Sequence, residues 1–415
     1  MDQPTDEVLP RLTSICYSVP YSGIEHAGGE FILRHLKHLA ESMEVSILAY
    51  ATDFNAEAKS RMQLDIEGVM LTPQATWGTT LPGRVLKRLV RDLLPLVPDV
   101  DYTWGFIRSG DADSYLRNTD VIEIQYVEFF HLIPYIRSRN KNVRIVGVVH
   151  DVVSERFKRV LNDRPQPHIR IFGPMTLPAV RRLERWLCNK VDELLVFNED
   201  TQTKLRALGV SSPITIARPP LTDTQMPSSV SEASSVAANF LFVGAFDRPE
   251  NNDAALWFLE KVWPIIQNRL PWATFCIAGA NPSRRLMMAA NSSNGVTVTG
   301  YVRDLAGYYQ SAGVIVVPLL RGAGVKFKTV TGMLWGKPIV STSIGAEGIA
   351  DNSYYVAVTD DPTKFALAAI RAVVEPAFSQ PIAQRAHSWA HDHHSDSKFR
   401  QAVRSAYVSP LASDQ

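Results

Sequence analysis

The sequence predicts an α/β protein built from two doubly wound, Rossmann-like domains in tandem. Three observations predict it. Short apolar, β-branched runs alternate with helical patterns through the first half, a Ser-, Pro- and Thr-rich stretch interrupts them, and the same alternation then restarts. A length of 415 residues suits two or three domains, and 46% hydrophobic against 20% charged residues supplies large buried cores.

In the first half, SICYSV (14–19) and EVSILAY (44–50) read as strands, with EFILRHLKHLAESM between them carrying apolar residues at helical spacing. DVIEIQY (120–126), VRIVGVVH (143–150) and DELLVF (192–197) are further strands, and PAVRRLERWLCNKV is a helix before the last of them. The stretch 212–238 loses periodicity and is the expected linker. After it, NFLFVGAF (239–246), ATFCIAGA (273–280), GVTVTGYV (295–302), GVIVVPLL (313–320) and KPIVSTS (337–343) read as strands, with DAALWFLEKVWPIIQNRL as one helix. Past about residue 380 the pattern is helical and polar. The expected division is therefore 1–220, 221–380, and a helical segment 381–415 packing back towards the first domain.

Composition narrows the functional classes. A net charge of +1 gives no global field for nucleic acid, so anion recognition has to be local. Three scattered cysteines (Cys16, Cys188, Cys276) show no paired spacing, as in a reducing compartment. The acidic, proline-broken start MDQPTDEVLPRL is unlike a signal peptide, and no apolar run reaches the ~20 residues needed to span a bilayer. A cytoplasmic protein is expected, with contact to the inner face of a membrane through the basic amphipathic segment 83–97, or that segment is an ordinary surface helix. His387, His391, His393 and His394 cluster near the C-terminus, yet no nearby Cys completes a metal-ligand pattern, so no metal is expected.

In open α/β sheets ligands bind beyond the carboxyl ends of the strands, and two such domains suggest a cleft between those ends. The informative residues are the polar groups just after strands. In FVGAFDRPENN, Gly244 allows close backbone approach and Arg248 suits a phosphate, or the pair is a turn glycine and a solvated arginine. In PLLRGAGVKFK, Gly322 and Gly324 leave amides exposed where a helix begins, beside Lys326 and Lys328. SIGAEG brings Glu347, able to accept from sugar hydroxyls or to cap a helix. In the first half, AGGEF offers Gly28 and Gly29 at a helix start, and His150 ends a strand, where it can hydrogen-bond a substrate or merely a backbone carbonyl. Asp151 can orient that imidazole or cap the next helix.

The segments FVGAFDRPENNDAALWFLEKVWPII and VTVTGYVRDLAGYYQSAGVIVVPLLRGAGVKFKTVTGMLWGKPIVSTSIGAEGI resemble the second domain of group 1 (family 4) glycosyltransferases, over residues 239 to 350. VPYSGIEHAGGEF, the VVHD strand end and LLVFNED match the first domain more loosely. The resemblance implies the GT-B architecture and a metal-independent, retaining transfer from a nucleotide-diphosphate sugar, a co-substrate rather than a bound cofactor, to a glycan, lipid-linked or small-molecule acceptor. It implies that His150, Arg248 and Lys328 are catalytic, His150 contacting the transferred sugar and the two cations neutralising the diphosphate. By the same resemblance Gly244, Gly322, Gly324, Lys326, Thr331 and Glu347 bind donor, while Gly28 and Gly29 form the phosphate and acceptor loop of the first domain. One departure stands out: where the family reads Lys-x-x-Glu-Ala, this chain reads KTVTG, so Thr331 replaces the glutamate that grips the ribose. The alternatives are a GT-B scaffold or binding subunit weakened at Thr331, and, less favoured, a nucleotide-sugar epimerase.

Overall fold

The structure is a computed structural model that describes residues 9–21, 27–61, 68–72, 81–97, 100–162, 166–221, 226–227, 238–322 and 326–408. The chain divides into two compact units, Met1–Pro219 joined by Arg400–Gln415, and Pro220–Phe399.

The first unit holds a seven-stranded, fully parallel sheet of β1 (Arg11–Ile15), β2 (Glu44–Tyr50), β3 (Gly68–Thr72), β4 (Val121–Gln125), β5 (Arg144–Val149), β6 (Glu193–Val196) and β7 (Ile214–Ile216), in the order β3-β2-β1-β4-β5-β6-β7. Strand order reverses at β1, where Ile15 pairs with Leu48 of β2 on one side and Ile124 of β4 on the other. Ile122, Ile124, Ile145 and Val149 are fully buried, as continuous apolar strands covered on both faces must be. The first helix, Ala27–Ala40, starts at AGGEF as expected and ends three residues before the Met43 that closes the helical pattern. The helix Pro167–Cys188 runs well upstream of its predicted start, through Pro174 and Pro178. Each proline forfeits one i→i−4 hydrogen bond, and packing against the Val153–Asn162 helix offsets the loss.

Three strands were not legible. β3 and the two-residue β13 (Ala357–Val358) are short edge strands. β7 lies inside the expected linker because Pro213 and the serines around Ile214–Ile216 disguise three residues that pair with β6. The first strand also sits earlier than SICYSV suggests, at Arg11–Ile15.

The second unit repeats the plan with six parallel strands in the order β10-β9-β8-β11-β12-β13. These are β8 (Asn239–Val243), β9 (Thr274–Ala278), β10 (Val296–Val298), β11 (Val314–Val317), β12 (Ile339–Ser341) and β13. Phe240, Phe242, Phe258, Trp263, Phe275 and Phe365 form its aromatic core. The expected single helix after β8 is instead Pro249–Trp257, a π-turn at Phe258–Val262, and Trp263–Arg269. Pro264 has no N–H for the Glu260 carbonyl, so the turn widens there.

The C-terminal pattern forms two helices, Pro376–His393 and Asp396–Val408. Residues from Arg400 onward group with the first unit: Arg144 Nε donates to Ala406 O at 2.9 Å, and Tyr407 Oη donates to the carboxylate of Glu123. No helix among the described residues is long and apolar enough to cross a membrane.

Candidate active site

In each sheet the strand order reverses beside the first strand of the unit, and the loops leaving that reversal are where a doubly wound sheet exposes backbone to a ligand. In the second unit these follow β8 and β11, with the β12 loop adjacent. Gly244 leaves β8, and a methyl group there would sit 3.1 Å from Asn251 Cγ and 3.3 Å from Lys328 Nζ, so it would press these side chains a few tenths of an ångström off the strand end. Lys328 Nζ donates to Asn251 Oδ1 at 2.6 Å and lies 4.9 Å from the centroid of Phe242. Asn251 is itself fixed, its Nδ2 donating to Ala245 O at 2.7 Å.

Burial is the main reason the Lys328 ammonium is pushed down to about 7 from its ordinary 10.5; Glu250 opposes the shift, and Arg248 and Lys326 reinforce it by repulsion. An ammonium held this way gains from any anion that approaches it. Arg248, the residue that opens the Pro249–Trp257 helix, is exposed and close enough to act on Lys328. Lys326 precedes the Phe327–Leu334 helix, is only 5% exposed, and donates to Glu347 Oε2 at 3.2 Å. Glu347 therefore ties the β12 loop to the β11 loop, besides ending the short Ser343–Ala346 helix. Gly322 adopts φ 140°, a conformation that strains any other residue, while Gly324 lies outside the described residues.

Thr331 is half-buried one turn beyond Lys328 on the same helix, so the two share a face. Its neighbour Gly332 points the other way. A Cβ on Gly332 would meet Ile315 Cγ1 at 3.2 Å and Ile339 Cδ1 at 3.3 Å. The second half of the Glu-Ala replacement is thus a packing feature between helix and sheet, and of the two positions only Thr331 shares the face of Lys328.

In the first unit, His150 follows β5, with its Nε2 2.8 Å from Gln125 Oε1 and its ring stacked on Tyr126 at 4.0 Å between centroids. Phe31 and Phe197 approach edge-on. Burial foremost pushes the His150 imidazole down to about 3; Glu123 opposes this and His35 adds to it. The ring is therefore neutral at physiological pH, and since Gln125 offers a carbonyl oxygen, Nε2 carries the hydrogen. Gln125 Nε2 in turn donates to Glu123 Oε1 at 2.6 Å, and Glu123 also receives Ser14 at 2.6 Å, His35 at 2.5 Å and Tyr407. Burial alone would raise the Glu123 carboxyl, but His35 and these hydrogen bonds hold it below the usual range.

Asp151 neither orients His150 nor caps the following helix. It pairs with Arg156 at 3.1 Å, and Glu184 accepts from Val153 N and Ser154 N at 2.6 and 3.0 Å to cap that helix instead. Gly28 and Gly29 fall in the first turn of the Ala27–Ala40 helix, after β1. The C-terminal histidines secure packing: His387 Nε2 meets Pro227 O at 3.0 Å, and His393 Nδ1 meets Trp389 O at 2.8 Å.

The structure thus brings Gly244, Arg248, Lys328 and Lys326 together in the second unit, with Glu347 joined through Lys326. His150 belongs to a separate cluster in the first unit. Sequence reasoning missed Asn251, Gln125 and Tyr126. The paired asparagines of FDRPENN were the available signal for the first, but nothing local marks Gln125, whose importance arises from its neighbour across the sheet.

Residues 237–374 match the family model described as glycosyl transferases group 1, which lies within the second unit. An uncharacterized 44.6 kDa protein in the cps region of Klebsiella pneumoniae is 25% identical over 248 residues, covering 55% of this chain and 58% of that relative. The chain thus matches little more than half the length of that curated relative. Among solved structures, sucrose-phosphate synthase from Thermosynechococcus elongatus aligns with a TM-score of 0.68 at 14% identity, over 95% of this chain and 97% of that one. HepE of Anabaena, in complex with UDP and glucose, aligns at 0.62 and 14% identity over 95% and 98%. TarM of S. aureus, in complex with UDP and alpha-GlcNAc-glycerol among other ligands, aligns at 0.62 and 10% identity over 97% and 100%. At such identities the likeness establishes the fold, and the fold is GT-B.

Proposed function

We propose that this GT-B chain, whose second unit matches the group 1 glycosyltransferases, is a retaining glycosyltransferase. In this reading it moves a sugar from a nucleotide-diphosphate sugar to an acceptor hydroxyl. The observation that carries the reading is the enclosed Lys328 ammonium, held by Asn251 beside Gly244 at the strand-order reversal, with Arg248 and Lys326 near it. Three cations converge where a diphosphate suits them, and the diphosphate restores what burial takes from Lys328. As the bond from the anomeric carbon to phosphate oxygen breaks, negative charge grows on the leaving nucleotide, and fixed cations stabilise that charge more than the ground state. The new bond forms from the acceptor oxygen on the same face, and the acceptor proton passes to the departing phosphate oxygen, so no protein base is required. In this reading His150, its Nε2 hydrogen taken by Gln125, offers Nδ1 as an acceptor to a sugar hydroxyl, its orientation set by Gln125 and Tyr126.

HepE and TarM carry UDP, which makes UDP-sugars the first donors to try. A screen of nucleotide-diphosphate sugars for nucleotide release, with Lys328→Ala as control, tests the reading. Release by the natural protein and its loss in a folded Lys328→Ala supports it; unimpaired release by Lys328→Ala defeats the assignment. Thr331 keeps one alternative in play, a binding subunit without turnover. Absence of any nucleotide binding at millimolar concentration favours that alternative.

A further inference from the structure

The first unit contains a cavity of about 810 Å³ that none of the roles above has used. That volume lies within the range of specific small-molecule sites, roughly 300–1,000 Å³. Its floor is aromatic: Tyr17, Tyr50, Tyr102, Tyr126 and Phe129 line it. Tyr50 and Tyr102 lie 4.3 Å apart, and Tyr17 stacks on Phe129 at 6.2 Å. Its wall is a helix, Leu81–Leu93, which contributes Arg84, Lys87, Arg88 and Arg91. Those positions are i, i+3, i+4 and i+7, one helical face. Leu86 and Val90 from the same helix supply apolar surface, Leu86 being 63% exposed.

The charge of the lining is one-sided. The lining holds Arg84, Lys87, Arg88, Arg91 and Arg156 against one carboxylate, Glu128, which Arg156 engages at 2.7 Å; Arg88 also reaches Asp92 of its own helix at 3.8 Å. His131, also in the lining, is held neutral by burial, which pushes its imidazole down to about 4. Basic side chains spaced along one helical face favour an anion that spans them, and the tyrosine floor suits an apolar or ring-shaped partner. Tyr126 belongs to this lining and is also the ring on which His150 stacks, so the cavity shares a wall with the His150 cluster. Tyr126 holds φ 78°, a strained value for a tyrosine that places it at this junction.

We infer that this cavity is the acceptor site and that the acceptor is a phosphorylated amphiphile, with its apolar part on the tyrosines and its phosphate or diphosphate on the Arg84–Arg91 face. The inference rests on the glycosyltransferase reading for the word acceptor, but the binding chemistry stands on the cavity alone.

The test is calorimetric titration of the full chain with three probes: farnesyl diphosphate below its micellar concentration, farnesol, and inorganic diphosphate. Farnesyl diphosphate is expected to bind at least about tenfold more tightly than either half alone, since it uses both walls. Arg84→Ala combined with Arg91→Ala, both on exposed positions of the helix, is expected to weaken farnesyl diphosphate about tenfold or more and to leave farnesol unaffected. Equal binding of farnesyl diphosphate and inorganic diphosphate overturns the inference, as does indifference to the double substitution. Sedimentation with anionic phosphatidylserine vesicles without binding of any soluble probe overturns it too, in favour of a membrane-surface helix. Nucleotide release without acceptor is measured alongside. If it is absent while farnesyl diphosphate still binds, the enzymatic reading fails and the site remains; if it persists while the probe does not bind, only the site fails.

Discussion

Replacing Lys328 with methionine keeps most of the stem and removes the ammonium. Burial foremost lowers its titration point from 10.5 to about 7. At about 1.4 kcal/mol per unit, the folded protein bears at most about 5 kcal/mol for holding this charge. Solvent reaching the half-buried residue and the donor lost to Asn251, about 1 kcal/mol, reduce the recoverable part. Lys328→Met is expected to stabilise the ligand-free protein at pH 7 by about 1–3 kcal/mol, several degrees in the melting transition of the second unit. The sign follows from protons. Below pH 7 the lysine is charged in both states and the cost is complete; between pH 7 and 10.5 only the unfolded chain keeps the proton, so the cost fades. The stabilising effect of the substitution should therefore shrink as pH is raised towards 10. Donor binding should move the opposite way, falling by two orders of magnitude or more. In the natural protein, donor affinity should weaken about tenfold per pH unit above 7, as the cation is lost. Differential scanning calorimetry and donor titration across pH 6–10 read both effects. A variant that melts lower than its parent at pH 7, or that binds donor as well, refutes the picture of a strained cation kept for an anion.

Three further outcomes can be measured. His150, held near 3 against an ordinary 6.5, binds fewer protons folded than unfolded, so it removes stability as pH falls below 6.5. His150→Asn should flatten that acid limb by up to about 1.4 kcal/mol per pH unit, and an unchanged limb in pH-dependent urea melts would contradict the shift. Thr331→Glu places a carboxylate one turn from Lys328; donor affinity should rise about tenfold if the ribose lies there, and unchanged titration means the ribose is held elsewhere. A methyl at Gly345 would sit 2.4 Å from Ser341 Oγ and 2.6 Å from Val317 O. Gly345→Ala should therefore cost about 1–3 kcal/mol in denaturant unfolding, and a neutral result would show that the β12 loop yields freely.

The sequence by itself determined the two parallel sheets, because strands buried on both faces must be written as unbroken apolar runs, such as RIVGVV and VIVV, between amphipathic helices. It also marked Gly244, Arg248, Lys326, Lys328 and Glu347, since strand-end loops are local and their glycines and charges show in the text. β7 escaped because three residues carry too little periodicity to outweigh Pro213 and the surrounding serines. Only the tertiary structure decided which side chains meet. Lys328 finds Asn251 seventy-seven residues away, and Lys326 finds Glu347 across two strand-end loops. His150 takes its tautomer from Gln125 on the neighbouring strand, and Glu123 receives Tyr407 from the far end of the chain. Asp151, the nearer candidate, is occupied by Arg156. Periodicity fixes which face a residue takes, but the partner it meets there depends on strand order and register, which put distant residues within hydrogen-bonding reach. The same physics joins four cations of one helix to the tyrosines of four other segments, making a cavity that no single stretch of sequence displays.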